Sequence, residues 1–227
     1  MRRQLTLRNQ QVVEIRHLGL GQLAEILTLQ QKVLSSLATK DSLQPLTEEE
    51  FTYILTGKGI MLGVYLHDEL IAFRAMMEPE EMDEEHLGWD VGLAKEELSS
   101  VLYSEITNVD PDHRGNSLQR ILGRILLSEI DQEKYRYICT TVAPFNIASL
   151  KDKFDLGMHI VALKEKYGTK LRYVLMKDLG SILKYSAASV FIKMENIERQ
   201  QEMLQKGWVG VGMELHDEEW NVEYRKL

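Results

Sequence analysis

A short turn at Asp110–Gly115 separates an apolar strand pattern from a strongly periodic helix, and its residues suit an anion. The first N–H groups of a helix have no partner within the helix, and the helix dipole is positive there. Gly115 leaves room for a ligand at the backbone, Arg114 adds a positive charge, and Asn116 and Ser117 are small polar residues that could cap the helix. The pattern predicts a phosphate site, and an ordinary capped helix beside a surface arginine is the equally open alternative.

Two common phosphate-binding loops are excluded by the spacing of this turn. A P-loop places Lys-Ser or Lys-Thr after its glycines, and a dinucleotide-binding fingerprint has three glycines at fixed spacing. The segment contains neither arrangement. A phosphate bound at this turn would therefore be held by a different kind of loop.

The same segment resembles the acetyl-CoA pyrophosphate loop of the GNAT acyltransferases. Residues 109–122 look like that loop and the start of its helix, and residues 141–158 resemble a second family block, a strand followed by an Asn-led helix and a closing Leu-Gly step. The two blocks occur in the family order, and the resemblance covers about Val12 to Lys177. It implies an α+β fold in which a mixed, largely antiparallel central sheet is flanked by helices, with a small C-terminal α/β extension.

The resemblance also implies acetyl-CoA as the cosubstrate and direct transfer of an acetyl group from CoA to an amine. Pantetheine is expected to pair with the backbone of the strand that leads into the turn. The residues implied to bind the cofactor lie on this strand, on the turn and on the Asn-led helix: Thr107, Asn108, Val109, Arg114, Gly115, Asn116, Ser117, Leu118, Gln119, Asn146, Ser149 and Lys153. No metal is expected, because the six histidines show no metal-ligand spacing.

Three positions depart from the family pattern. Asp112 stands where Gln or Arg is usual, and Ser117 stands where Gly or Ala is usual. Many members carry a tyrosine in the second helix that protonates the leaving thiolate, and Lys153 occupies that position here. A serine leaves its N–H free, so pyrophosphate binding is still expected, whereas the usual general acid is missing.

Candidate catalytic residues lie on the strand before the turn, Val101–Val109. Alternation along a strand places Glu105, Thr107 and Val109 on one face, with Tyr103 as a weaker candidate on the same face. Glu105 could accept the proton of the amine through water. The alternative is that Glu105 is a salt-bridged strand residue without a catalytic role.

Hydrophobic periodicity predicts the elements that would position these residues. Thr47 followed by Glu50 is a capping-box pattern at the start of a helix. The predicted helices begin at Leu23 and span Glu48–Leu55, Leu118–Ile130 and Asn146–Leu156, and the predicted strands are Val12–Ile15, Ile60–Leu66, Leu70–Met76, Val101–Val109, Tyr137–Ala143, His159–Lys166 and Leu171–Met176.

The chain continues beyond the region of resemblance. A strand at Val190–Met194, a helix at Glu195–Lys206 and strands near Trp208–Leu215 and Trp220–Tyr224 indicate a small appended segment. We expect an acetyltransferase domain at 1–178 and the appended segment at 179–227. No internal repeat is apparent in the sequence.

Composition limits the compartment and the partners. Cys139 is the only cysteine, so no intrachain disulfide can form, and its apolar strand favours a core role. The start of the chain lacks the apolar core of a signal peptide, and no apolar run could cross a bilayer. A formal net charge of −8 argues against nucleic-acid binding. A cytoplasmic protein without a membrane partner is expected, and a homodimer is left open.

Two other classes of function compete with an N-acetyltransferase. A non-catalytic acyl-CoA-binding sensor or regulatory module is favoured by the missing tyrosine, and a pure interaction protein would have lost the cofactor. For an enzyme, the expected acceptor is an amine of a small molecule or a peptide. The acidic segment Glu78–Glu85 is a candidate to attract this amine, with Trp208 and Trp220 closing an apolar pocket. A solvated surface loop is the alternative for that segment.

Overall fold

The computed structural model describes residues 2–37, 43–81 and 83–227, which form two compact units. The first unit consists of Met1–Glu78 and Tyr103–Ile130, and the second of Pro79–Leu102 and Asp131–Leu227. The expected division into an acetyltransferase domain at 1–178 and an appended segment at 179–227 stays a prediction. Met82, within the acidic segment, lies outside the described residues.

The helices and strands follow in chain order. The helices are α1 (Leu23–Ser35), α2 (Glu48–Tyr53), α3 (Leu87–Asp90), α4 (Leu118–Glu129), α5 (Ile147–Asp155) and α6 (Ile197–Gln205). The strands are β1 (Arg2–Thr6), β2 (Val12–His17), β3 (Gly59–Leu66), β4 (Glu69–Met77), β5 (Val101–Val109), β6 (Tyr137–Val142), β7 (His159–Lys166), β8 (Lys170–Asp178), β9 (Ser189–Lys193), β10 (Trp208–His216) and β11 (Glu219–Lys226). No helix among these residues is long and apolar enough to span a membrane.

The sheet of the first unit has the order β1-β2-β3-β4-β5, and every neighbouring pair is antiparallel. β5 belongs to this unit from Tyr103 onward. The apolar stripe of α1 packs with α2 over this sheet, in a core that includes Ile26, Phe51, Phe73 and Ile106. Burial of these side chains holds the helices to the sheet.

Most predicted elements of the first unit are confirmed. The helix α2 begins with the predicted capping box: the N–H of Thr47 donates to Glu50 Oε2 at 2.7 Å, and the N–H of Glu50 donates to Thr47 Oγ1 at 3.2 Å. The strand β1 was missed, because its five residues RRQLT carry little apolar periodicity. β1 pairs with β2 over Arg2–Thr6, with Leu5 opposite Val13.

The sheet of the second unit has the order β6-β8-β7-β10-β11-β9, again with every pair antiparallel. The helix α5 packs against β10, while α6 packs against both β7 and β10. The predicted α+β fold, with a largely antiparallel sheet flanked by helices, is therefore confirmed, and so are the elements of the C-terminal extension.

The expectation that the chain has no internal repeat is wrong. The strand, Asn-led helix, glycine and hairpin of β6-α5-β7-β8 recur in β9-α6-β10-β11, with α6 fifty positions after α5. Asn146 Oδ1 accepts from the N–H of Ser149 at 3.2 Å, and Asn196 Oδ1 accepts from the N–H of Arg199 at 3.1 Å. We call these segments the first repeat (Tyr137–Asp178) and the second repeat (Ser189–Lys226).

The two repeats also share their irregularities. Gly157 and Gly207 end the helices with φ of 77° and 78°. The pairing of β7 with β8 shifts after Ile160, and that of β10 with β11 shifts after Gly210, fifty positions later. Ile160 and Gly210 also face each other where β7 pairs with β10. Because equivalent residues meet at this pair, the repeats are related by an approximate two-fold axis there, which matches the mirrored strand order.

Candidate functional site

The turn before α4 holds its backbone N–H groups open. Gly115 has φ of 82°, and Ser117, the residue before α4, has φ of 59°. The side chain of Ser117 makes no capping hydrogen bond, and Asn116 instead donates from Nδ2 to the carbonyl oxygen of His113 at 3.1 Å. The expectation that Asn116 and Ser117 cap the helix is therefore wrong, since the left-handed conformation of Ser117 differs from the extended one of a capping residue.

The start of α4 consequently presents unused donors. The helical bonding begins with the N–H of Ile121, which donates to the carbonyl oxygen of Ser117 at 3.0 Å. The N–H groups of Leu118 and Gln119 precede that bond and have no carbonyl one turn earlier in the helix. With the positive end of the helix dipole, they form a donor set that suits a phosphate group.

An ion-paired cluster fixes the turn against α1. Lys32 Nζ lies 2.7 Å from Asp110 Oδ2 and 2.9 Å from Asp112 Oδ2. These two hydrogen bonds raise the pKa of Lys32 above its usual value. Burial of Asp110 works in the other direction, but the bonds from Lys32 and from the N–H of Asp112 leave the pKa of Asp110 below normal. Asp112, the acidic departure from the family pattern, thus lies in an ion pair with Lys32, which it shares with Asp110.

Two arginines also form hydrogen bonds that hold the turn in place. Arg114 donates from Nη2 to Ser36 Oγ at 2.8 Å, beside the end of α1. Arg74, on β4, is 2 % exposed and donates to the carbonyl oxygen of Gln119 at 3.1 Å and to Ser104 Oγ at 3.0 Å. Sequence reasoning missed Arg74, because an arginine in the middle of an apolar strand gives no indication of its partners.

The strict alternation expected along β5 is interrupted by a bulge. Ala75 of β4 pairs with Ile106, and Met76 pairs with Ser104, so Glu105 is an extra residue without a partner position. A bulge reverses which side chains share a face. Tyr103, opposite Met77, therefore lies on the face opposite to Thr107, and the expectation that both share one face is wrong.

The residues predicted to line pantetheine differ in exposure. Thr107 and Val109 are half-buried, whereas Asn108 is fully buried. The side-chain amide of Asn108 has no hydrogen-bond partner among the described residues. Asn108 pairs with Phe73 on the face that carries the apolar core, so its side chain does not share the face of Thr107.

The second unit contains the remaining predicted cofactor residues. Asn146 caps α5 through the N–H of Ser149, so the expected capping role is confirmed. Lys153 is 5 % exposed, and its Nζ lies 3.5 Å from Oδ2 of the buried Asp152. The lysine that the resemblance aligns with the family tyrosine is thus buried and ion-paired.

Other features of the second unit have structural roles. Cys139 is buried, as predicted for a core residue, and burial raises the pKa of its thiol to about 12. Lys166 is 7 % exposed, lies 3.0 Å from Asp90 Oδ2 and donates to the carbonyl oxygen of Glu85 at 2.9 Å. The end of the acidic segment is therefore tied to β7. Across the described ranges, no three His, Cys, Asp or Glu side chains are grouped to hold a metal.

Comparison with known proteins gives a likeness of fold. No protein-family model matches the sequence, and no curated protein matches it. Solved structures do match: Arabidopsis thaliana NAA60 in complex with acetyl-CoA has a TM-score of 0.59 at 11 % identity, covering 74 % of this chain and 99 % of that chain. The ribosomal-protein-S18-alanine N-acetyltransferase of Escherichia coli has a TM-score of 0.55 at 15 % identity, covering 76 % and 96 %.

A third match is the GNAT-family acetyltransferase of Streptococcus pneumoniae, with a TM-score of 0.54 at 17 % identity, covering 74 % of this chain and 99 % of that chain. The chain therefore has the fold of the GNAT acetyltransferases. Each of these structures leaves about a quarter of the chain without a counterpart.

Proposed function

We propose that the protein is a member of the GNAT superfamily and acts as an acetyl-CoA-dependent N-acetyltransferase. The observation that carries the proposal is the turn at Gly115–Gln119, where an uncapped helix start, a left-handed backbone and Arg114 combine in one place. Backbone donors at such a turn suit a pyrophosphate, which accepts several hydrogen bonds at once. The fold adds support, since NAA60 has acetyl-CoA bound to the same fold.

The proposal gives each part of the turn a role. The N–H groups of Gly115, Leu118 and Gln119 donate to the pyrophosphate, and Arg114 supplies a positive charge that does not titrate at physiological pH. Lys32 lies within ion-pair distance of the carboxylates of Asp110 and Asp112 and reduces their repulsion of the phosphates. The backbone of Thr107–Val109 pairs with pantetheine.

Glu105 is the proposed base. At the bulge, its backbone leaves the regular ladder, and bulges commonly direct a side chain toward a site. During transfer, the amine nitrogen forms a bond to the acetyl carbon, the C–S bond breaks, and the amine proton passes to Glu105 through water. The sulfur departs with the electron pair, and its pKa of roughly 8.5 makes it a fair leaving group without a strong acid. Lys153 in place of tyrosine is compatible with this scheme.

The acceptor is proposed to be an amine of a small molecule or a peptide that meets the acidic segment. Within that segment, Glu80, Glu81, Asp83 and Glu84 are exposed, and Trp89 follows with 44 % of its surface accessible. An exposed group of carboxylates attracts a cationic amine before it loses its proton. We also propose a cytoplasmic location, because a chain whose single cysteine is free and buried suits a reducing compartment.

Calorimetric titration with CoA tests the proposal. The wild-type protein should bind CoA, and pantetheine without phosphates should bind far more weakly. Gly115→Asp places a carboxylate beside the pyrophosphate and should weaken CoA binding by about a hundredfold or more. Gly92→Asp is the matched control, because Gly92 also has φ of 82° and no atom within 4 Å of an added Cβ. Equal CoA affinity of the two folded variants would overturn the assignment.

A turnover assay separates an enzyme from the alternative, a non-catalytic acyl-CoA-binding module. Release of free thiol from acetyl-CoA should depend on an added amine. Glu105→Gln should lower turnover by about a hundredfold while CoA affinity stays nearly constant. CoA binding without thiol release, over a panel of amines, would favour the module instead.

A further inference from the structure

One backbone position breaks the likeness between the two repeats. Phe145, which precedes the cap of α5, has φ of 63°. Its equivalent is Glu195, and the described residues with positive φ do not include it. The neighbouring bonds are otherwise alike, since the N–H of Ile147 donates to the carbonyl oxygen of Phe145 at 2.8 Å and that of Ile197 donates to Glu195 at 2.9 Å.

This conformation is strained for a bulky residue. A left-handed backbone brings Cβ close to the carbonyl oxygen, and such residues persist only where their surroundings hold them. The ring of Phe145 does not provide the restraint, because 56 % of the residue is exposed. The restraint must therefore act on the backbone.

The second repeat supplies a contact to that backbone. The N–H of Phe145 donates to Met194 Sδ at 3.1 Å, and Met194 is fully buried at the end of β9. The backbone of Met194 is fixed on both sides: its N–H donates to the carbonyl oxygen of Trp220 at 2.8 Å, and its carbonyl oxygen accepts from Gln200 Nε2 at 2.8 Å.

The fixation of Met194 extends into the core of the second unit. Oε1 of Gln200 accepts hydrogen bonds from the hydroxyl groups of Tyr173 at 2.7 Å and Tyr224 at 2.9 Å, all within the buried interior. A second tie lies nearby, where Lys151 Nζ is 5.0 Å from the centre of the Trp220 ring. Phe145, before α5, and Lys151, within α5, thus both contact residues of the second repeat.

We propose that the second repeat acts as a brace that sets the cofactor-binding turn of the first repeat, and that Met194 is the positioning residue. This inference rests on the proposed function, because Asn146, next to Phe145, is among the residues that the family resemblance implies for binding of the cofactor. The brace holds Phe145 in its left-handed conformation, and this orients the carbonyl and N–H groups that precede α5. It gives the C-terminal extension a role in cofactor binding without contact to the cofactor.

Amide hydrogen exchange tests the brace in the protein without CoA. Met194→Leu keeps an apolar side chain of similar size but removes the sulfur acceptor. Exchange at the N–H of Phe145 should accelerate by about fivefold or more in this variant. Met203→Leu is the matched control, since Met203 is also buried in the second repeat but lies on α6. Unchanged exchange at Phe145 in Met194→Leu would overturn the brace, whether or not CoA binds.

Calorimetry with CoA tests the link to cofactor binding. Met194→Leu should raise the dissociation constant by about fivefold, and Met203→Leu should leave it within twofold. Glycine adopts positive φ without strain, so Phe145→Gly should make the turn independent of Met194. In the Phe145→Gly background, Met194→Leu should therefore change CoA affinity by less than about twofold.

The outcomes separate the two proposals. If the wild type binds CoA and Met194→Leu matches it, the brace has no role in cofactor binding and the inference is wrong. An equal loss of affinity with and without Phe145→Gly would also contradict it, because the effect would not pass through this residue. If the wild type fails to bind CoA, the proposed function falls, and the role of the brace in cofactor binding falls with it.

Discussion

The two repeats of the second unit share a backbone but differ in what they carry. Both have an asparagine-capped helix of nine residues, a glycine that ends it and a bulge at the same position. Buried positions of the first repeat hold Lys153 and His159, and the equivalent positions of the second hold Met203 and Val209. At these two positions the first repeat thus buries an ammonium group and an imidazole, whereas the second repeat buries apolar side chains.

The two repeats thus share a fold and differ in the side chains that they bury at equivalent positions. The helix caps and terminal glycines depend on local backbone geometry, and both copies retain them. A buried charge or a strained backbone is costly, and such features persist where another part of the structure supports them. Variants that exchange residues between the repeats can therefore distinguish structural positions from functional ones.

The largest expected effect follows from exchanging the buried residues of the helices. Lys153→Met removes one partner of the buried pair with Asp152 and should destabilise the protein by about 3 to 5 kcal/mol. Met203→Lys buries an ammonium group on α6, and the preceding acid, Glu202, is exposed and does not form a buried pair with it. This substitution should destabilise the protein by about as much as Lys153→Met. Urea denaturation measures both free energies of unfolding.

A double variant provides the control for this exchange. Asp152→Leu combined with Lys153→Met removes both charges and should recover most of the lost stability. If Lys153→Met alone were as stable as the wild type, the ion pair would not contribute to the stability of the protein. The proposed difference between α5 and α6 would then be wrong.

The next effect concerns pH. Burial lowers the pKa of His159 to about 4 from an ordinary 6.5, with Lys177 adding to the shift and Asp178 opposing it. Neither ring nitrogen has a hydrogen-bond partner among the described residues. Between pH 6.5 and 4, His159 is protonated in the unfolded chain but not in the folded protein. The free energy of unfolding should therefore decrease as the pH falls, by about 3 kcal/mol over this range.

His159→Val, which copies Val209 of the second repeat, isolates this contribution. Between pH 6.5 and 4, the stability of this variant should depend less on pH than that of the wild type, because the contribution of His159 is absent. This holds whatever the stability of the variant at pH 7. Thermal denaturation across this range measures the slope. An unchanged dependence of stability on pH would show that the pKa of His159 is not lowered in the folded state.

The helix caps should give a smaller and more even effect. Asn146→Ala and Asn196→Ala each remove one capping hydrogen bond and should each cost about 1 kcal/mol. Only Asn146→Ala should also weaken CoA binding. Calorimetry and urea denaturation of the two variants separate the roles, and equal CoA affinities would remove the functional distinction between the repeats.

The smallest effect is expected outside the repeats, in the acidic segment tied to the first repeat by Lys166. Converting Glu80, Glu81 and Glu84 to Gln should raise KM for a cationic amine by about threefold at low salt and less at high salt. CoA affinity should remain constant. A KM that is unaffected at low salt would indicate that the segment only solvates the surface.

The sequence predicted the elements well where periodicity is strong, as in α1, α4 and the strands of both hairpins. It did not reveal the repeat, because the two segments share little beyond the Asn-Ile pair at each helix start and the glycine eleven positions after the asparagine. That spacing, Asn146 to Gly157 and Asn196 to Gly207, was the available signal. Without the backbone structure, these two short sequence matches do not establish a repeat.

The candidate site was less predictable in detail than in location. The composition of the turn predicted its position, but the left-handed conformation of Ser117 depends on how the chain enters α4. The bulge at Glu105 depends on pairing with β4, which a strand pattern does not contain. The ties from Arg74 and Lys32 join segments far apart in sequence, and no local signal marks them.

A crystal structure of the protein with CoA tests the central claim most directly. The account predicts pyrophosphate oxygens within hydrogen-bond distance of the N–H groups of Gly115, Leu118 and Gln119, with pantetheine along Thr107–Val109. It also predicts that the turn of the first repeat, and not the equivalent turn at Asn196, contacts the ligand. CoA bound elsewhere, or bound at Asn196 with the Gly115 turn empty, would contradict the account.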